Sequence, residues 1–126
     1  MAKNSISKIS NAFSTGGGGV NFEQQIQAMF LLSLLIDGFC PAMNEQTKKV
    51  HFQAKHLGYD VDDLVVITYR NQSEGKMACQ IKHSITATEK DKTFQEVICA
   101  AWNDFNKEDF DRDRDRIALV TAQISN

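Results

Sequence analysis

Three groups of polar side chains interrupt otherwise apolar stretches of this sequence, and their types could support hydrolytic chemistry. Glu23 lies on the inward face of a predicted helix, one turn ahead of apolar residues. Asp62 and Asp63 stand at the start of an apolar run, and Gln80-Ile81-Lys82 falls near the end of another. Carboxylates beside a lysine suit metal-assisted phosphodiester hydrolysis, because Mg²⁺ prefers oxygen ligands and lysine can hold or deprotonate water and offset phosphate charge.

A predicted β-hairpin brings the second and third groups together. Residues 64–69 are β-branched and apolar, residues 71–75 have turn composition, and residues 77–83 form the return strand. With the turn centred near Ser73, Asp63 and Lys82 lie at similar distances from it on opposite strands. We therefore expect the acid and the Gln80/Lys82 pair to be neighbours, with Gln80 and Lys82 on one face of the strand.

The remaining elements follow from periodicity and capping residues. Residues 1–20 are small and polar and end in a glycine run, which predicts a flexible lead. A helix is expected from Asn21, as its cap, to about Asp37, and its second half is apolar nearly all round, which implies burial on more than one side. Residues 41–47 are predicted to be a loop, residues 49–56 a strand with one wet face, and residues 117–121 a final strand.

A second helix is predicted over residues 92–106. Its cap is expected at Thr88 or Thr86, and Trp102 and the phenylalanines of this helix are expected in the core. Residues 112–116 alternate in charge and are predicted to form a solvated, self-neutralising loop. The order αβββαβ predicts an α/β fold with a mixed sheet of about four strands flanked by helices.

Composition limits the classes of function. The 126 residues favour one domain, and a net charge of −2 excludes a protein that coats nucleic acid through bulk positive charge. Three cysteines give no paired framework, and the longest apolar run is too short for a membrane span, so we expect a soluble cytoplasmic protein without membrane contact. His51 and His56 face opposite sides of a predicted strand, which argues against a zinc site.

The ordered set of motifs resembles the PD-(D/E)XK nuclease superfamily, in its variant with Gln-x-Lys as the last motif. Within it, the sequence is similar to the double-stranded DNA endonuclease domains at the N-termini of bacterial antiphage effectors, both cyclic-nucleotide-gated and STAND NTPase-fused. Five segments carry the resemblance. They are Gly16-Gly17-Gly18-Gly19-Val20-Asn21-Phe22, Glu23, Asp62-Asp63-Leu64-Val65-Val66, Gln80-Ile81-Lys82-His83-Ser84 and Arg116-Ile117-Ala118-Leu119-Val120-Thr121.

The resemblance implies a restriction-endonuclease-like core and a role for each matching residue. Glu23 matches the helix acid, and Asp63, or Asp62 in an alternative register, matches the central metal ligand. Lys82 matches the catalytic lysine, and Ile81 would add its backbone carbonyl as a ligand. Gln80 stands where most of the superfamily has an acid, which implies either weaker metal affinity or a positioning role.

The implied activity is Mg²⁺-dependent cleavage of double-stranded DNA, with Mn²⁺ as an alternative ion. Residues expected at the substrate are Gly18, Gly19, His83 and Ser84. Residues 21–126 would be a nuclease domain excised from a longer antiphage protein, with C-terminal sensor domains as partners and a homo-oligomer as the active form. Two alternatives stay open: an inactive nuclease-fold module for nucleic-acid binding or assembly, and an RNA nuclease with the same site.

Overall fold

In a computed structural model, which describes residues 18–125, the chain forms a five-stranded mixed sheet and two helices. The elements in chain order are α1 (Gly18–Leu35), β1 (Phe39–Cys40), β2 (Glu45–Phe52), a 3-10 turn (Ala54–Leu57), β3 (Leu64–Arg70), β4 (Ser73–Thr86), α2 (Lys92–Phe105) and β5 (Arg116–Ser125). The predicted α/β class is confirmed, with one strand more than expected. No helix among the described residues is long and apolar enough to cross a membrane.

The strands lie in the order β1-β2-β3-β4-β5, with antiparallel pairs up to β4 and a parallel β4–β5 pair. The predicted β3–β4 hairpin is confirmed, but its turn is Asn71-Gln72 and not centred at Ser73. Both turn residues have positive φ, 51° and 62°, which matches the twist of the flanking strands. Since Leu64 pairs with Cys79, the register places Asp63 alongside Gln80.

Two apolar clusters occupy opposite faces of the sheet. The cluster under α1 contains alternate residues of β3 and β4, and the cluster under α2 contains the residues between them. The buried members on the α1 side are Phe30, Cys40, Met43, Leu64, Val66, Met77, Cys79 and Ile81. On the α2 side they are Ala54, Val61, Val65 and Ala78. The α2 side has the smaller core, so α1 supplies most of the apolar packing.

The first helix and the second strand differ from their predicted bounds. α1 begins at Gly18, so Asn21 lies inside the helix and is not its cap; the rest of the predicted flexible lead, residues 1–17, lies outside the described residues. β2 begins at Glu45, within the predicted loop, because the short strand β1 pairs with it there. β2 ends at Phe52 because Gln53 adopts a left-handed backbone with φ 49°, after which the chain forms the 3-10 turn.

The second helix matches its predicted bounds to one residue, but its cap and its buried face were wrong. Asp91 caps it, with its carboxylate accepting the Phe94 N–H at 2.7 Å. Trp102 is 65% exposed and is not in the core. α2 packs closely through the smaller residues Val97, Ala100 and Ala101, so that Ile98 and Trp102 are exposed while Phe94 and Phe105 are partly buried.

A buried ion pair lies at the turn end of the β3–β4 hairpin. Glu45 is buried and accepts hydrogen bonds from Arg114 Nε at 3.0 Å and Thr68 Oγ1 at 2.5 Å. Arg114 also donates to Ser73, and Asp115 is buried and accepts the Lys76 N–H at 3.0 Å. The expectation that residues 112–116 form only a solvated loop was therefore wrong, because two of them have partners distant in sequence.

The ion pair needs Gly75. A Cβ atom at this position would lie 2.7 Å from Arg114 Nε and 2.9 Å from both Glu45 Oε2 and Thr68 Oγ1. We expect Gly75→Ala to displace the guanidinium and lower the free energy of unfolding by about 2–4 kcal/mol, because the Glu45 charge would stay buried without its full set of partners. Urea unfolding measures the change. Ser73→Ala, which removes one exposed partner of Arg114, is the control and should cost less than about 1 kcal/mol; equal losses for both variants would contradict this account.

Candidate active site

The candidate site lies at a gap in the sheet. β2 ends at Phe52 and β3 begins at Leu64, opposite Cys79, whereas β4 continues to Thr86. Beyond Cys79, β4 therefore has β5 as a paired neighbour on one side and, among the described residues, no strand on the other. Backbone groups of β4 that face this gap need partners from side chains.

Asp63 fills the gap with its carboxylate. Its Oδ2 accepts the Ile81 backbone N–H at 2.7 Å and the Gln80 Nε2 amide at 2.6 Å. The predicted proximity of the acid to this segment is confirmed at Gln80 and Ile81. The Gln80 side chain presents its nitrogen, not its oxygen, to Asp63, so in this arrangement the amide orients the carboxylate.

Glu23 reaches the same region from the first half of α1. Its Oε1 accepts hydrogen bonds from Gln53 Nε2 at 2.8 Å and Gln27 Nε2 at 3.2 Å. Burial raises the pKa of Glu23, and the negative charge of Asp63 raises it further, more than the Gln53 hydrogen bond and Lys82 lower it. The two carboxylates are thus close enough to repel one another.

The charges of Lys82 and Asp62 both act on Asp63. Partial burial raises the pKa of Asp63, and the nearby charge of Asp62 adds to this effect. The Ile81 N–H, the positive charge of Lys82 and the Gln80 amide act in the opposite direction without cancelling it. The structure therefore brings together Glu23, Asp62, Asp63, Gln80 and Lys82, the residues that the sequence analysis placed at one site.

Two acidic side chains at the site, Asp63 and Glu23, each use one carboxylate oxygen in hydrogen bonds and have the other available to a cation. Asp63 Oδ1 and Glu23 Oε2 accept no hydrogen bond from any described residue. No group of three or more His, Cys, Asp or Glu side chains within residues 18–125 is placed to hold a metal ion. Mg²⁺ retains several waters and commonly uses one or two carboxylates, so this sparse donor set fits Mg²⁺ better than a metal that needs a full protein cage.

The site opens toward α2. Gln80 and Lys82 are half-buried and line a depression of about 180 Å³ together with Asp60 and with Glu96 of α2. They share the β4 face of Ala78, as the alternation predicted, whereas Ile81 packs on the opposite face under α1. The lysine therefore lines an open depression on the α2 side of the sheet, whereas Glu23 reaches Asp63 from α1.

The residues expected at the substrate are not gathered in this depression. Gly18 and Gly19 form the first turn of α1. The His83 ring packs edge-on against Phe22 at 5.5 Å, and its carbonyl accepts the Thr121 hydroxyl at 3.3 Å. Ser84 lines a different depression near the start of α2. The contacts of His83 are those of a packed residue behind the site.

Two supporting residues were missed by the sequence analysis. Gln53 was assigned to the wet face of a strand, and nothing in its local pattern indicates the bond to Glu23. Asp104 of α2 is buried and accepts the backbone N–H groups of Asp60 at 3.0 Å and Val61 at 2.7 Å. A signal for Asp104 existed, because it follows Val97 and Ala100 at helical spacing and so lies on the inward face of α2.

No protein-family model, curated protein or solved structure matches this chain. The class that the structure defines is a mixed α/β domain with two helices and a five-stranded sheet.

The raised pKa of Asp63 gives a signed dependence of stability on pH. A folded-state pKa above the unfolded value means that ionisation of Asp63 costs stability as pH rises through that pKa. We expect Asp63→Asn to raise the melting temperature at pH 7 by a few degrees, a gain that vanishes below the ordinary aspartate pKa of about 3.9. Thermal unfolding at several pH values measures the difference.

Glu45→Gln is the control, because its effect on stability should change with pH in the opposite direction. Burial raises the pKa of Glu45, but the hydrogen bonds of Arg114 and Thr68 and the charges of Arg114 and Arg70 together bring it below its usual value. The ionised form therefore adds stability above the unfolded pKa, and this contribution is lost as pH falls through the folded one. Glu45→Gln should lower the melting temperature at pH 7 and should lower it less in acid. A lower melting temperature for Asp63→Asn at pH 7 would contradict the conclusion that the ionised carboxylate of Asp63 lowers stability.

Proposed function

We propose that this chain is a metal-dependent endonuclease domain that hydrolyses phosphodiester bonds, with Mg²⁺ as its cofactor and double-stranded DNA as its substrate. The observation that carries the proposal is the bonding of Asp63 to Gln80 and Ile81 with Glu23 and Lys82 beside it. These are two carboxylates and a lysine at one accessible gap in a sheet. Such a set suits hydrolysis of a phosphate ester.

Each residue of the site would have a role in the reaction that follows from its position. Asp63, oriented by the Gln80 amide and the Ile81 N–H, would present its free Oδ1 to the cation, and Glu23 would present Oε2 from the opposite side. Mg²⁺ would supply Lewis-acid activation of water and phosphate. Lys82, which lines the open depression, would hold or deprotonate the attacking water and offset the charge that develops on the phosphate.

The choice of substrate and biological role rests on the sequence resemblance. The motifs from Glu23 to Ser84 resemble double-stranded DNA endonuclease domains of bacterial antiphage effectors. We therefore propose that the chain acts in the cytoplasm as the effector domain of such a defence protein, together with sensor domains of the same protein and as a homo-oligomer when active. A restriction-endonuclease-like core is part of this proposal.

One observation favours a second candidate, a nuclease-fold module that binds nucleic acid or assembles without turnover. Gln80 replaces an acid, and its amide nitrogen faces Asp63. A module that has lost turnover in this way would bind no divalent cation at Asp63. Calorimetry with Mg²⁺ or Mn²⁺ separates the two functions, because only the enzyme should show a binding signal that Asp63→Asn abolishes.

Plasmid cleavage tests the enzyme directly. We expect the chain, joined to its sensor domains and triggered where these are required, to cut plasmid DNA with Mg²⁺ and not with EDTA. Lys82→Ala and Asp63→Ala should each lower the rate at least about a hundredfold, because each removes a group that acts on the reacting phosphate. Asp62→Ala should retain more activity than Asp63→Ala, since it is Asp63 that contacts Gln80 and Ile81.

Lys48→Ala is the matched control for the lysine substitution. Lys48 is exposed and pairs with Glu74, next to the turn of the hairpin and at the opposite end of β3 from Asp63. Its loss should leave cleavage within about twofold of the original, as expected for a surface ion pair outside the site. Lys82→Ala and Asp63→Ala variants that cut as fast as the original chain would show that the site is elsewhere.

A further inference from the structure

The outer side of α1 carries the largest exposed apolar surface on any described helix. We use the name outer stripe for five large, exposed apolar residues in the second half of α1 and just after its end. They are Met29, Leu31, Leu32, Leu35 and Ile36. Leu35 is 80% exposed and Ile36 is 66% exposed, so a partner could still bury most of the surface of each side chain.

The outer stripe is centred away from the packed face of the helix. At about 100° per residue, its members fall within an arc of about 160° on the helix surface. Phe22, Ile26 and Phe30, which pack on the sheet, are centred about 140° from the middle of this arc, and only Met29 and Ile36 lie near the margin of the packed face. The sequence predicted that this helix is buried on more than one side, and within residues 18–125 the chain covers only one.

The outer stripe is uncharged. From Gln24 to Ile36 the sequence contains no ionisable side chain. Glu23, just before this segment, faces the candidate site, and the exposed carboxylate of Asp37 follows directly after Ile36. A partner selected by charge, such as nucleic acid or an anionic membrane surface, would find no complementary group there. Two identical neutral surfaces, in contrast, meet without like-charge repulsion.

The area of the outer stripe is sufficient for self-association. The exposed fractions of its five side chains correspond to roughly 500 Å² per chain, which is at the upper end for an apolar patch on a monomeric protein. Two copies together would bury about 1,000 Å² of apolar surface, the size at which specific interfaces begin. Flanking exposed residues of the same helix, Gln25 and Ala28, would add to this area.

We propose that a second copy of this chain covers the outer stripe in solution, with the two α1 helices packed against each other across a two-fold axis. A symmetric pairing uses the same surface on both copies and needs no other partner. Because Glu23 lies about half a helical turn away from the stripe, each copy keeps its own candidate site open. The homo-oligomer of the proposed nuclease would then use α1 as an interface, but the pairing itself does not depend on nuclease activity.

Sedimentation of the full 126-residue chain over a series of concentrations tests the proposal. We expect the apparent mass to rise with concentration toward twice that of one chain. Leu35→Glu and Leu32→Glu should each weaken the dimer at least tenfold, because each would bury a charge without a partner. Ile98→Glu, at a comparably exposed apolar position of α2, is the matched control and should leave the dimer unchanged. Thermal unfolding verifies that each variant is folded.

Three results would overturn the proposal. A chain that stays monomeric throughout the series has no self-association at this surface, and binding of that monomer to neutral lipid vesicles would assign the stripe to lipid. A dimer that survives both leucine substitutions uses another surface. A dimer lost equally in Ile98→Glu would place the interface on α2.

Discussion

The carboxylate of Asp63 occupies a place in the sheet that a neighbouring strand would otherwise fill. β4 extends seven residues past its pairing with β3, from Gln80 to Thr86, and the Ile81 N–H that faces the resulting gap is satisfied by Asp63 Oδ2 at 2.7 Å. The same oxygen accepts the Gln80 amide. A structural requirement of the sheet thereby fixes one acidic side chain next to Lys82 and within reach of Glu23, and it leaves Asp63 Oδ1 available for chemistry.

The rest of the fold holds this arrangement from both sides. On the α2 side, buried Asp104 binds the backbone of Asp60 and Val61, and Lys107 binds both Asp104 and the Gly58 carbonyl. These bonds fix the segment that leads into Asp63. On the α1 side, a Gln53 amide fixes Glu23. Hydrogen bonds thus hold two carboxylates that repel one another, an arrangement that supports the site proposed above.

The sequence allowed the local elements to be predicted better than their surroundings. The β3–β4 pairing and the bounds of α2 follow from alternation and helical spacing, which are properties of neighbouring residues. The exposure of Trp102 does not follow from these patterns, because the side of α2 with small residues is the one that packs closely on the sheet. Arg114 looked solvated for a similar reason: its partner Glu45 is 69 residues away, and no local pattern encodes that contact.

The most direct test of the site is the position of a bound cation. A crystal of the chain grown with Mn²⁺ would locate the ion by its anomalous scattering. We expect a peak about 2.0–2.4 Å from Asp63 Oδ1, near Glu23 and on the open side of Lys82, which is absent in the Asp63→Asn variant. An ion bound away from Asp63, or a peak that persists unchanged in that variant, would contradict the assignment of this gap in the sheet as a metal-dependent active site.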